Sequence, residues 1–192
     1  MAAKRWFALS AVAMSVLALT GCAFGGGGGG GGAQNDIPHD AASGGQTLAE
    51  MRDSLESIPG IVVSDITGGD KPNVKGNTGY AVGLEVEPGF AIADGAALVD
   101  FVVASVWSVR EGYMPNARID VRVRTSSSGG FDVAAAAAQA GWARDSTSSP
   151  SPYSTAAIDL MEDKDQGAQN RERLGSWPGD VPEVPTGVTV QE

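Results

Sequence analysis

The sequence is poor in the residues that most often carry chemistry. Its 192 residues include one cysteine, Cys22, and one histidine, His39. A single cysteine cannot form a disulfide within the chain, so Cys22 needs another explanation. Histidine is the commonest general base and metal ligand, but His39 lies in a polar stretch where nothing in the local sequence would fix its geometry. We therefore expect no catalytic role for it.

Positive charge is also scarce. The chain carries 13 lysines and arginines against 23 aspartates and glutamates, a net charge of −10. An acidic surface is repelled by nucleic-acid phosphates, which argues against nucleic-acid binding. The sequence has no Gly-x-Ser-x-Gly motif and no Walker loop, so it predicts no bound cofactor and no catalytic residue.

Long apolar runs are limited to one stretch near the start. Lys4 and Arg5 precede an apolar segment over residues 6–19. At about 14 residues it is shorter than the roughly 20 that a membrane helix needs, and glycine follows it instead of a charged stop. This pattern predicts an export signal over residues 1–21 that is removed from the mature chain.

The residues at the end of this signal, Leu19-Thr20-Gly21-Cys22, resemble the lipobox of bacterial lipoproteins. In that family the cysteine receives a diacylglyceryl group and becomes the first residue of the mature chain. The resemblance implies lipid attachment at Cys22 and a place on the extracytoplasmic face of the cell membrane. The alternative is an ordinary secretory signal followed by an incidental cysteine. Two acyl chains would hold the protein without a membrane-spanning helix.

A tether is predicted after this cysteine. Eight consecutive glycines, Gly25 to Gly32, are followed by polar residues without periodic apolar positions. Such a segment cannot bury enough apolar surface to offset its chain entropy. We expect a lipidated cysteine and disordered tether over residues 22–46 and a folded domain over 47–192. Loss of the signal leaves 11 basic and 23 acidic residues, a net charge of −12.

The first half of the domain alternates helix and strand patterns. A capping box at Thr47 starts a helix over about 47–58. Two β-rich runs, 61–66 and 80–87, are separated by turn residues, which predicts an antiparallel hairpin.

The second half continues the alternation. Residues 94–111 have helical spacing, and although their valines also suit a strand, their length favours a helix. Strict alternation over 117–125 predicts a strand. Residues 131–143 predict an alanine-rich helix and 155–161 a last strand, and the tail from Gly175, which contains several prolines, is expected to be irregular.

The resulting order α-β-β-α-β-α-β predicts a single small two-layer α+β domain whose sheet is covered by helices on one face. The α-β-β-α-β part is similar to the BON domains, small periplasmic domains associated with the envelope and with phospholipids. The whole chain resembles lipoproteins of high-GC Gram-positive bacteria in its lipobox, its glycine and alanine content and its acidic balance. These resemblances imply a place in the cell envelope and no particular activity, since fold alone does not give function.

An arginine cluster is the candidate partner-binding site. Arg118, Arg122 and Arg124 fall on one face of a predicted strand. A guanidinium fork suits carboxylate and phosphate, so the cluster would bind an anion or an acidic partner. The other interpretation, which we favour, is pairing with Glu85 and Glu87 of a neighbouring strand.

Two further segments contain residues of the types that bind ligands. The acidic segment 161–166 lacks the ligand spacing of an EF-hand, so we expect a solvated loop and no metal site. Trp177 is expected to cap the core rather than to contact a partner.

Two functions of different classes remain. We expect a membrane-anchored envelope lipoprotein with a non-catalytic binding or scaffolding domain, which contacts the membrane through the lipid on Cys22 and takes an envelope protein as its partner. The alternative is a lipid-anchored hydrolase that works through carboxylates such as Asp65 and Glu85. Two carboxylates serve as acid and base only if burial or proximity separates their pKa values. Two carboxyl groups converging in a pocket would favour the enzyme.

Overall fold

A computed structural model describes residues 37–126, 129–144 and 148–192 of the chain. The predicted signal, Cys22 and the glycine run lie outside the described residues, so the lipobox assignment stays a prediction. Within the described ranges, no helix is both long enough and apolar enough to cross a membrane.

The described residues have the predicted α+β architecture, with every predicted helix and strand confirmed to within a few residues. Three elements, β3, α4 and β6, are additional to the predicted order. The helices are α1 (Leu48–Glu56), α2 (Gly95–Trp107), α3 (Val133–Gln139) and α4 (Asp165–Leu174), and the strands are β1 (Ile61–Gly68), β2 (Gly79–Val86), β3 (Phe90–Ile92), β4 (Arg118–Thr125), β5 (Tyr153–Asp159) and β6 (Thr189–Gln191).

Four strands form one mixed sheet in the order β1-β2-β4-β5. β1 and β2 are the predicted antiparallel hairpin. β4 lies parallel to β2, because α2 carries the chain back across the sheet between them, and β5 returns antiparallel to β4. The short strands β3 and β6 pair with each other in a separate sheet.

The core lies between this sheet and the helices. Most apolar residues of α2 are buried, and packing there outweighs the weak helix propensity of its valines. Alternate residues of the strands are buried against this layer, as the period of two predicts. They are Ile61, Val63, Val82, Leu84, Val86, Ile119, Val121, Val123, Ala156 and Ile158. Helices therefore cover one face of the sheet, and no element within residues 37–126, 129–144 and 148–192 covers the other.

The predicted boundary between tether and domain is wrong, because residues 37–46 pack against the folded unit. Gln46 is buried and its side-chain amide donates to Ser108 Oγ over 2.8 Å. The Asp40 carboxylate accepts a hydrogen bond of 2.8 Å from the backbone N–H of Gly112. These partners are more than sixty residues away along the chain, so local composition gives no sign of them.

His39 belongs to this docked segment. Its ring stacks against Tyr113 with centroids 4.7 Å apart, and its Nδ1 lies 3.1 Å from the Asp40 carboxylate. The expectation that nothing fixes His39 is therefore wrong as well.

We expect limited proteolysis of the full chain to leave residues 37–46 attached to the resistant core. Gly45→Ala should make them cleavable, because Gly45 has a φ of +56° and an added Cβ would clash with the carbonyl oxygen of Ser108. Gly129→Ala is the control, since a Cβ there meets nothing within 4 Å. Mass spectrometry of the fragments measures the difference. Cleavage within 37–46 in the unchanged chain would contradict the docked arrangement.

Candidate functional site

The uncovered side of the sheet, which we call the open face, is built by the outward residues of β1, β2, β4 and β5. Strand pairing aligns these residues in rows across the sheet. The rows are Val62-Glu85-Arg124-Tyr153, Asp65-Gly83-Arg122-Thr155 and Thr67-Ala81-Asp120-Ala157. Charged side chains flank small residues on β2, so the face is a shallow trough.

A β-bulge at Ser64 places Asp65 on the open face. Val63 pairs with Leu84 and Asp65 pairs with Gly83, which leaves Ser64 as the extra residue. Without the bulge, strict alternation from Val63 would turn Asp65 toward the buried side. The bulge thus supplies the acidic end of the central row.

Arg122 reaches from β4 across β2 to this carboxylate. Its Nη2 donates to Asp65 over 2.7 Å. The intervening residue is Gly83, and a Cβ there would clash with Asp65 Oδ1. Glycine is therefore required for the pair to close over the strand. The Nε of Arg122 is buried and has no hydrogen-bond acceptor among the described residues.

The other two arginines of the cluster are also paired. Arg124 lies 3.1 Å from Glu85, and its guanidinium lies 4.5 Å from the ring centroid of Tyr153. Arg118 lies 3.0 Å from Asp120 of its own strand. Pairing with Glu85 is therefore confirmed for Arg124, whereas the partners of Arg118 and Arg122 differ from those predicted.

Two recesses lie on the open face. The smaller, of about 310 Å³, lies between the Asp65–Arg122 and Glu85–Arg124 pairs beside Tyr153. The larger, of about 690 Å³, lies toward the start of β4 and is walled by the β1–β2 loop and by Lys164. Gly79, Ala81 and Ala157 are among its lining residues.

Two of the titratable residues that line the larger recess, Asp159 and Tyr80, have shifted pKa values. Partial burial raises the pKa of Asp159, but hydrogen bonds from Lys164 and from the Met161 backbone outweigh it and hold this pKa below its usual range. Burial raises the pKa of Tyr80 to about 12, and the nearby Glu111 carboxylate adds to the rise. The Tyr80 hydroxyl donates to the Glu111 carbonyl oxygen over 3.0 Å, and the Tyr80 side chain is buried in the core on the same side of β2 as Val82.

The lowered pKa of Asp159 implies that the free energy of unfolding depends on pH. A carboxyl whose pKa is lower in the folded state stabilises the fold above its unfolded pKa, and this contribution is lost as the pH falls through the folded pKa. We expect Asp159→Asn to reduce the free energy of unfolding above about pH 5, and the difference from the wild type to vanish in strong acid.

Chemical denaturation at several pH values measures this difference. Asp163→Asn is the matched control, because Asp163 is exposed and has no hydrogen bond to any residue that the structure describes. A difference between wild type and Asp159→Asn that is constant with pH would contradict the assignment.

The carboxylates considered for catalysis, Asp65 and Glu85, both line the smaller recess. Each is bonded to its own arginine, so the recess holds alternating charges rather than two converging carboxyl groups. Across residues 37–126, 129–144 and 148–192, no three His, Cys, Asp or Glu side chains are placed to hold a metal ion.

The acidic segment 161–166 begins as the exposed loop that the sequence predicts, with residues 162–164 exposed, but its end is helical. It enters α4 at Asp165, and Glu162 lies 2.8 Å from Arg171 of that helix. Trp177 is partly buried against the core, as expected.

Sequence reasoning missed Asp65 as an arginine partner, and it missed Tyr153 altogether. A signal for the first was present, because an isolated glycine in a strand pattern, here Gly83, marks a bulge or a close approach. Tyr153 lies just before the predicted start of the last strand, so alternation did not place it on either face.

No family model, curated protein or solved structure matches this chain. The proposed function therefore depends on the geometry of the open face and on the sequence of residues 1–22.

Proposed function

We propose that the chain is a membrane-anchored envelope lipoprotein whose domain is a non-catalytic binding or scaffolding module, with the open face as its binding surface. The anchor rests on the resemblance of Leu19-Thr20-Gly21-Cys22 to a lipobox. The binding role rests on one observation, the asymmetry of the sheet: helices bury one face, and no described element covers the other.

Charge balance on the open face supports this role. Four ion pairs lie there in a mature chain of net charge −12. They are Asp65–Arg122, Glu85–Arg124, Asp120–Arg118 and Asp159–Lys164. Exposed ion pairs contribute only about 0–1 kcal/mol each to stability, so folding alone gives little reason to gather four on one surface. Alternating charges favour a partner with a complementary pattern over a simple anion.

The shape of the surface suits a macromolecule. Small-molecule sites are concave and enclose most of their ligand. The open face is a shallow polar trough, which a protein segment would cover more completely. We therefore infer an envelope protein partner, with membrane contact through the lipid on Cys22 alone.

The alternative function, a hydrolase based on Asp65 and Glu85, has less support. General acid and base roles need carboxylates that exchange protons during the reaction. Here each carboxylate is engaged by an arginine at 2.7 Å and 3.1 Å respectively.

Charge reversal on the open face tests the binding role. Arg122→Glu removes the central pair and places two acids side by side. We expect it to lower recovery of co-purified envelope proteins by about tenfold, or about 1.4 kcal/mol. Arg144→Glu is the matched control, because Arg144 is exposed after α3, away from the open face.

The measurement is quantitative mass spectrometry of material purified with the full chain from detergent-solubilised membranes. Asp65→Arg with Arg122→Glu restores the pair with reversed polarity and should not restore recovery. Equal recovery with Arg122→Glu and Arg144→Glu would contradict the proposal.

A further inference from the structure

Among the strands that the structure describes, β5 lies at an edge of the sheet and pairs with β4 alone. Leu160 N–H donates to the Ala117 carbonyl and Thr125 N–H donates to the Pro152 carbonyl. These two bonds fix which residues of β5 turn their backbone toward β4, since the groups alternate along an antiparallel strand. The residues whose N–H and C=O point away from the sheet are Tyr153, Thr155, Ala157 and Asp159.

Six of these eight outward backbone groups are unused. Tyr153 N–H donates to Ser151 Oγ over 3.2 Å, and the Asp159 carbonyl accepts from Asn170 Nδ2 over 2.9 Å. The remaining groups have no hydrogen-bond partner in the part of the chain that the structure describes. The side chains of Thr155 and Ala157 are exposed. Such an edge is a template for another strand.

The opposite edge of the sheet is protected. Arg52 of α1 donates to the Val63 carbonyl over 2.9 Å, and the Ile61 N–H donates to the Ile58 carbonyl. The bulge at Ser64 further interrupts β1. These are the usual devices that keep an edge strand from pairing, and β5 lacks them between its two ends.

We propose that β5 pairs antiparallel with β5 of a second copy of this chain, about a twofold axis beside Ala156, so that two four-stranded sheets become one of eight strands. In this register Thr155 faces Ala157 of the second copy, and Tyr153 faces Asp159 of the second copy. The open faces of the two copies lie on the same side of the joined sheet.

The pattern of used and free groups selects this register. The two used groups, Tyr153 N–H and Asp159 C=O, face each other across the axis. Each already has a hydrogen-bond partner within its own chain, so the dimer leaves no group unsatisfied when the bond between them does not form. The free groups of the two strands then match one to one in six hydrogen bonds. Moving the axis by one or two residues in either direction sets a used group against a free one.

The side chains fit this pairing. Thr155, Ala156 and Ala157 are small and allow close approach of the strands. Tyr153, with Arg124 stacked on it, comes beside Asp159 of the second copy, which brings opposite charges together. The net charge of −12 on each mature chain opposes association over longer distances, so added salt should strengthen the dimer.

Sedimentation equilibrium of the full chain in a density-matched detergent tests the proposal. We expect a monomer–dimer equilibrium that shifts toward dimer as salt is raised. Thr155→Pro removes an N–H that points away from β4 and should weaken the dimer by about tenfold or more. Thr155→Val keeps this N–H and should stay within about twofold of the wild type.

A full chain that stays monomeric at every concentration, or Thr155→Pro chains that pair as tightly as Thr155→Val chains, would overturn the proposal. If Thr155→Pro fails to fold, amide exchange in the unchanged chain decides. The amides of Thr155 and Ala157 must then become protected as concentration rises, and unchanged exchange refutes the pairing. Thr155 lies in the central row of the open face, but the readout is self-association of the purified chain without any envelope protein, so its failure and the failure of the proposed binding function are distinguishable.

Discussion

Cys22→Ala should abolish attachment of fatty acid to the protein. The resemblance to a lipobox predicts that this sulfur carries the lipid, and each buried methylene of an acyl chain contributes about 0.8 kcal/mol to membrane binding. In the described ranges no helix is long and apolar enough to cross a membrane. The expected result is complete loss of labelled palmitate from the protein, with the domain still folded by circular dichroism.

The neighbouring Ala23→Ser is the control for this experiment, because it lies outside the four lipobox residues and leaves Cys22 in place. It should incorporate label as the wild type does. An N-terminal fragment of the wild-type protein that starts at Ala23, or that begins at Cys22 without a lipid mass, would refute the anchor.

Gly167→Ala should destabilise the fold by about 1–3 kcal/mol, although alanine is the better helix former. Gly167 lies within α4, where propensity alone predicts a gain of about 1 kcal/mol. The added Cβ would clash with the carbonyl oxygen of Met161 and lie 2.6 Å from its backbone nitrogen. Backbone atoms cannot swing aside as a side chain can, so α4 must shift.

Urea denaturation of the full chain measures this change. Gly129→Ala is again the matched control, since its added Cβ meets no described residue beyond its chain neighbours within 4 Å, and it should change the free energy of unfolding by less than about 0.5 kcal/mol. Stabilisation by Gly167→Ala would show that α4 does not contact Met161 as described.

The three helices predicted from the sequence each begin at a residue whose side chain caps the first turn. Thr47 forms the predicted capping box with Glu50. Asp94 and Asp132 accept hydrogen bonds from the first turns of α2 and α3. Local chemistry of this kind is readable because its partners lie three residues apart.

α4 has no such signal. Lys164 at its start makes no side-chain cap, and its first turn contains Gly167, a poor helix former. Its stability comes from distant contacts, because the buried Asn170 side chain donates to the carbonyl oxygens of Trp142 and Asp159. A helix held by tertiary contacts is invisible to propensity and periodicity.

Part of the open face was predictable, because strand alternation is a local pattern of the sequence. Alternation along β4 placed Arg118, Arg122 and Arg124 outward, which the strand pairing confirms. It could not give the strand order that brings β1 within reach, nor the bulge that turns Asp65 outward. Both depend on pairing between segments far apart in the chain.

Site-specific photo-crosslinking in intact cells tests the central claim most directly. A photoreactive residue replaces Thr67, which is exposed on the open face, or Asp53, which is exposed on α1 on the helical side. The proposal predicts adducts with an envelope protein from position 67 and none from position 53. No adduct from position 67, or the same adducts from both positions, would contradict it.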